Sequence, residues 1–127
     1  MDPVKVLQRA YQDELLDALR AEGAAQGVPY PHVRALLLEV ARRERAHAEA
    51  LAEALRRRGA PLPPTPKPEE GGWETLLRLL SEEGLDRAYY LESTFPDPEL
   101  EALFTRLGQE EWLNQEAVRK AVMIIGG

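Results

Sequence analysis

The chain contains no cysteine. That absence excludes disulfides, thiolate-held metals and thiol redox motifs, so any redox chemistry must use other groups. No apolar stretch approaches the ~20 residues of a membrane-spanning helix. The opening MDPVKVLQRAYQDE places acidic residues where a secretion signal would need an apolar core. A cytoplasmic location and no membrane partner are therefore expected. Basic residues cluster nowhere beyond Arg56, Arg57 and Arg58, and the formal charge is -6. This balance argues against nucleic acid as a partner. Glycine-rich phosphate loops, GxSxG elbows and Walker patterns are also lacking, so nucleotide chemistry and triad hydrolysis have no support.

What the 127 residues do contain is Ala, Leu, Glu and Arg in abundance, the residues that lose least on entering a helix. Such a length suits one domain, 1–127, with a core of its own. Apolar or small residues recur at spacings of three and four in four stretches. Leu7, Ala10, Tyr11, Ala18, Ala21 and Ala25 mark the first; Val33, Leu36, Leu37, Val40, Ala48, Leu51 and Leu55 mark the second. The pattern predicts helices over roughly 3–26, 31–58, 73–93 and 98–124.

Between the second and third helices lies GAPLPPTPKPEEGG, residues 59–72, with five prolines in fourteen residues. No helix or central strand persists through such a segment. Its reach decides the topology. A helix of about 28 residues is ~42 Å long at 1.5 Å per residue, and some fifteen residues of polyproline conformation span ~46 Å. The connector is long enough to cross the whole bundle, leaving the third helix parallel to the second. Two short-looped hairpins joined by one long crossover is the connection pattern of ferritin-like bundles. The same PLPPTPKP run also has the composition of a ligand for proline-recognising domains.

The two halves resemble each other. VPYPHVRALLLEVARRERAH, residues 28–47, aligns without gaps on FPDPELEALFTRLGQEEWLN, residues 95–114. The alignment sets Glu44 over Glu111 and His47 over Asn114, and a looser match of YQDELLD with LSEEGLD sets Glu14 over Glu83. An internal repeat of this kind points to a pseudo-twofold bundle.

Carboxylates stand inside the apolar stripes, where a charge is rarely left without a partner. Glu44 is flanked by Leu37, Val40, Ala41, Ala48 and Leu51, so its side chain points where theirs do, and His47 follows one turn on. Glu14 sits among Leu7, Ala10, Ala18 and Ala21, Glu83 after Leu76, Leu79 and Leu80, and Glu111 among Phe104, Leu107, Gly108 and Val118. Each helix thus aims one Glu inward, and Glu44-x-x-His47 adds a nitrogen donor on the same face. Hard carboxylate oxygens with one imidazole suit iron or manganese, with zinc also compatible. A metal-free alternative is a polar pair of Glu44 and His47, with Arg43 or Arg87 neutralising the carboxylates. Tyr11, Tyr89 and Tyr90 are either core aromatics or neighbours of the site, and His32 reads as a surface residue.

These residues, and ARRERAHAEAL most strongly, resemble the rubrerythrin and ferritin-like superfamily over nearly the whole chain. The resemblance implies an all-α ferritin-like four-helix bundle with a di-metal site. In it, Glu14 and Glu83 would bind terminally, while Glu44, His47 and Glu111 would bridge and complete the ions. The chain departs from the family pattern at Asn114, where a second His would stand, and at Arg87, four residues after Glu83. Asn is a weaker donor to iron than imidazole, so the second metal position is expected to be weak, differently selective or empty. The rubredoxin-type domain of full rubrerythrins, which needs Cys, has no counterpart. The resemblance implies oxygen or peroxide chemistry or iron handling, as an oxidoreductase with an unidentified electron donor. The alternative is a non-enzymatic bundle acting as an interaction or oligomerisation module. Apolar residues in AVMII near the chain end lead us to expect a homo-oligomer, at least a dimer.

Overall fold

The computed structural model describes residues 2–67 and 73–126, excepting the side chains of Trp73, Glu74, Leu76, Leu77 and residues 80–84. Four helices follow in order: α1 Pro3–Gln26, α2 Pro31–Arg57, α3 Trp73–Glu92 and α4 Pro98–Gly126. The boundaries lie within two residues of those expected from periodicity, with α2 and α3 each ending one residue early and α4 continuing to Gly126.

Local chemistry explains three of the ends. Asp2 caps α1 by accepting from the Val4 amide at 3.0 Å, and Pro3 follows where its missing N–H is harmless. Asp97 does the same for α4, accepting from the Glu99 amide at 2.9 Å ahead of Pro98. After α2, Gly59 adopts φ 63°, the left-handed conformation that lets the Ala60 amide reach back to the Leu55 carbonyl at 3.0 Å.

Helix α1 packs on α2 and on α3, and α4 packs on α2 and on α3, which leaves α1 and α4 on one diagonal and α2 and α3 on the other. Leu7 shares a cluster with Leu51, Leu55 and Tyr90, while at the opposite end Ala24 and Ala25 share one with Val33, Leu37 and Ala121. Each packed pair is therefore antiparallel, and α2 runs parallel to α3. The connector must return the chain along the bundle. Its described part, through Lys67, lies against α1, where Gln8 donates to the Pro61 carbonyl at 3.0 Å and Gln12 to that of Pro64 at 3.2 Å. At the first end, Phe104 packs edge-on against Tyr90 and Phe95, with ring centroids 5.0 and 4.7 Å away. Helix α4 approaches α3 closely at Gly108, where an added Cβ would stand 3.2 Å from the Cβ of Tyr90. No helix among the described residues is long and apolar enough to cross a membrane.

Candidate metal centre

Between the two apolar ends the core turns polar. Glu14 of α1, Glu44 and His47 of α2, and Glu111 of α4 are all buried, and one donor atom from each lies within 4.8 Å of the other three. Helical periodicity carries them inward with their apolar neighbours, so the interior that buries Leu51 and Leu107 must also take three carboxyl groups. Glu83 belongs to α3 by position, but its side chain lies outside the described residues.

His47 is the hub. Its Nδ1 lies 2.9 Å from Glu111 Oε1 and 3.3 Å from Glu14 Oε2, and its Nε2 lies 2.9 Å from Glu110 Oε1. With carboxylates at both ring nitrogens, both nitrogens donate and the ring is a cation. Burial works against that cation, but the carboxylates of Glu111 and Glu14 outweigh it and raise the imidazole to about 10. Burial, reinforced by the charge of Glu111, pushes the Glu14 carboxyl up to about 8. The metal-free cluster is thus held together by protons.

Three residues at the site escape a search for inward carboxylates. Tyr90 of α3 is buried and donates its hydroxyl to Glu14 Oε1 at 2.8 Å. Burial, and then the charges of Glu14 and Glu111, hold its phenol well above the usual range, so it remains a donor. Of the three tyrosines singled out in the sequence, Tyr11 and Tyr89 pack against the apolar cluster, and the Arg9 guanidinium lies over the Tyr89 ring, 5.4 Å from its centroid. Glu110, whose side chain is 39% exposed, links the outer nitrogen of His47 to the surface. Asn114 is fully buried; its Nδ2 donates to Glu44 Oε1 at 2.9 Å and its Oδ1 accepts from Arg43 Nη1 at 2.6 Å. Charge next to the inward stripe, at 43 and 110, was the available clue. His32 is exposed, as expected.

The donor set fits a metal ion. Glu14 Oε2 is buried and, beyond the ionic contact with His47 Nδ1 at 3.3 Å, makes no hydrogen bond among the described residues, an arrangement that a metal cation would satisfy. Hard oxygens with one imidazole are the ligands of iron, manganese and zinc. Fold and site together define a ferritin-like four-helix bundle with a carboxylate–histidine cluster able to hold metal in its core. The rubrerythrin family model matches residues 5–122, and the chain belongs to the rubrerythrin family, whose members are ferritin-like di-iron carboxylate proteins. No curated protein matches the chain.

Proposed function

We propose that this chain is a non-haem metalloprotein that binds iron or manganese through Glu14, Glu44, His47 and Glu111, with Glu83 as a further ligand, and acts on oxygen or peroxide. The observation carrying this reading is the convergence of four donor atoms from three helices within 4.8 Å inside the core. A bound ion would supply one-electron redox chemistry and Lewis acidity.

The protein's own groups prepare the place. Tyr90 engages Glu14 Oε1 and leaves Oε2 facing the cluster. Glu110 accepts from His47 Nε2, which fixes the ring and turns Nδ1 towards Glu14 and Glu111. The Nδ1 proton and the proton on Glu14 must leave for these atoms to ligate, so uptake of the ion releases protons. Apolar packing above and below, by Leu51, Leu107, Val40 and Val118, limits access of water.

A second reading, a non-enzymatic bundle serving as an interaction module, is favoured by one feature: the cluster closes on itself through His47, Tyr90 and Asn114. Metal content separates the two. Protein purified after iron supplementation should carry metal by elemental analysis, lose it in His47→Ala, and consume peroxide only when loaded. Less than about 0.1 ion per chain would favour the module.

A further inference from the structure

Positions 43 and 110 are equivalent in the internal repeat, each directly preceding the inward Glu of its helix. They also do equivalent work across the bundle. Glu110 of α4 reaches His47 of α2, and Arg43 of α2 reaches Asn114 of α4, the residue that the repeat sets over His47. The chemistry of each pair is matched. A ring N–H needs an acceptor and receives a carboxylate; a carboxamide oxygen needs a donor and receives a guanidinium.

The second pair decides which end of Asn114 faces the cluster. Guanidinium only donates, so Asn114 must present Oδ1 to Arg43 Nη1, at 2.6 Å, and this turns Nδ2 inward to Glu44 Oε1 at 2.9 Å. Rotating the amide by half a turn would set its N–H donors against the guanidinium and its oxygen against the Glu44 carboxylate, losing both bonds at once. Arg43 is itself anchored, since its Nη2 donates to Glu39 Oε1 at 3.2 Å and its side chain is only 21% exposed. A carboxamide nitrogen is no metal ligand, and the one Asn114 atom that could ligate is turned away.

We propose that Arg43 locks the Asn114 carboxamide with its oxygen outward, which removes α4's second ligand position and limits the centre to one tightly bound ion per chain. Arg43 is a positioning residue here, acting on the site through Asn114. The proposal rests on the metal-binding reading of the cluster and adds to it a stoichiometry and the residue that sets it.

The test is anaerobic titration with manganous ion, counted by calorimetry and by electron paramagnetic resonance, which distinguishes isolated from spin-coupled ions. Wild type should take up one tight ion with an uncoupled spectrum. Arg43→Met, which keeps the stem and loses the donors, should take up a second ion and show coupling. Arg43→Lys, which still donates to Oδ1, should return the count to one, a rescue that a loss of mere packing would not give. Side-chain amide NMR supplies a metal-free readout: the Asn114 NH2 signals should shift in Arg43→Met and stay near their wild-type positions in Arg43→Lys. Two tight ions in wild type, or a count of one in Arg43→Met, would overturn the lock while leaving metal binding intact. Unchanged Asn114 signals in Arg43→Met would overturn it too. No tight ion in wild type would instead overturn the metal reading, and the one-ion count with it.

Discussion

The hydroxyl of Tyr90 on α3 donates to Glu14 on α1 at 2.8 Å, joining two helices through a bond buried in the core. In Tyr90→Phe the ring still packs on Phe104, but Glu14 Oε1 loses its donor. Removing one partner of a buried hydrogen bond costs about 1–3 kcal/mol. The variant should therefore melt several degrees lower, on the order of 3–10 °C for a chain of this size. Differential scanning calorimetry of metal-free protein measures this directly. An unchanged transition would mean that the bond contributes nothing.

Stability of the metal-free protein should fall as pH rises. Glu14 is held at about 8 against an ordinary 4.5, and His47 at about 10 against 6.5. The folded state thus keeps a proton that the unfolded chain has lost, on Glu14 between 4.5 and 8 and on His47 between 6.5 and 10. Each contribution is complete below its unfolded value and is lost as pH climbs through the folded one. The decline centres between 6.5 and 8 and, because Glu14 and His47 act on each other, belongs to the pair, at ~1.4 kcal/mol per pH unit for each proton that only the folded state holds. Urea unfolding in chelator across this range checks the slope, and a flat profile would contradict the clustered geometry. Metal affinity should run the opposite way, tightening with pH as those protons become easier to displace.

Glu110 offers a test of ligand orientation that leaves the proposed ligands untouched. Its carboxylate accepts from His47 Nε2 at 2.9 Å. Loss of such a supporting carboxylate costs about 10- to 100-fold in metal affinity. Glu110→Ala should weaken binding by that margin. At 39% exposure the side chain contributes little to packing, so the fold should stay intact by circular dichroism. Competition titration against a metal indicator reads the affinity, and wild-type binding would remove Glu110 from the site.

Self-association is the remaining expectation. Trp112, Leu113, Met123 and Ile124 are all exposed on α4, and the spacing of eleven aligns 112 with 123 and 113 with 124, two lines about 100° apart that together make a broad stripe. Val122 and Ile125 instead turn inward against the same chain's core. An exposed apolar stripe favours a partner surface. Light scattering at micromolar concentration should give at least a dimer, and the pair Trp112→Glu and Ile124→Glu should give a monomer. A monomeric wild type would leave the stripe without this role.

Much of the site could be read from residue spacing. Glu14, Glu44, His47 and Glu111 stand at positions whose neighbours three and four residues away are apolar. A helix of 3.6 residues per turn therefore carries them wherever it carries Leu7, Leu51 or Leu107. The proline connector was legible for a similar reason, because its length and stiffness bound how far it reaches. That reach made a parallel α2 and α3 attainable, and the run of Pro61 and Pro64 along Gln8 and Gln12 follows the same path.

The sequence by itself thus determined which residues α1, α2 and α4 turn inward, because that depends only on backbone geometry within the helix. Which inward residue meets which was decided by the tertiary structure. Tyr90 and Glu14 are 76 residues apart, Asn114 and Glu44 70 apart. Their contacts depend on the height and rotation at which antiparallel helices settle, set by packing across the interfaces, including the close approach at Gly108. The amide orientation of Asn114 is further from reach, since it follows from Arg43 lying beside it on another helix. Spacing along one helix carries no information about a neighbour's rotation, and hydrogen bonds between side chains are decided within a few tenths of an ångström.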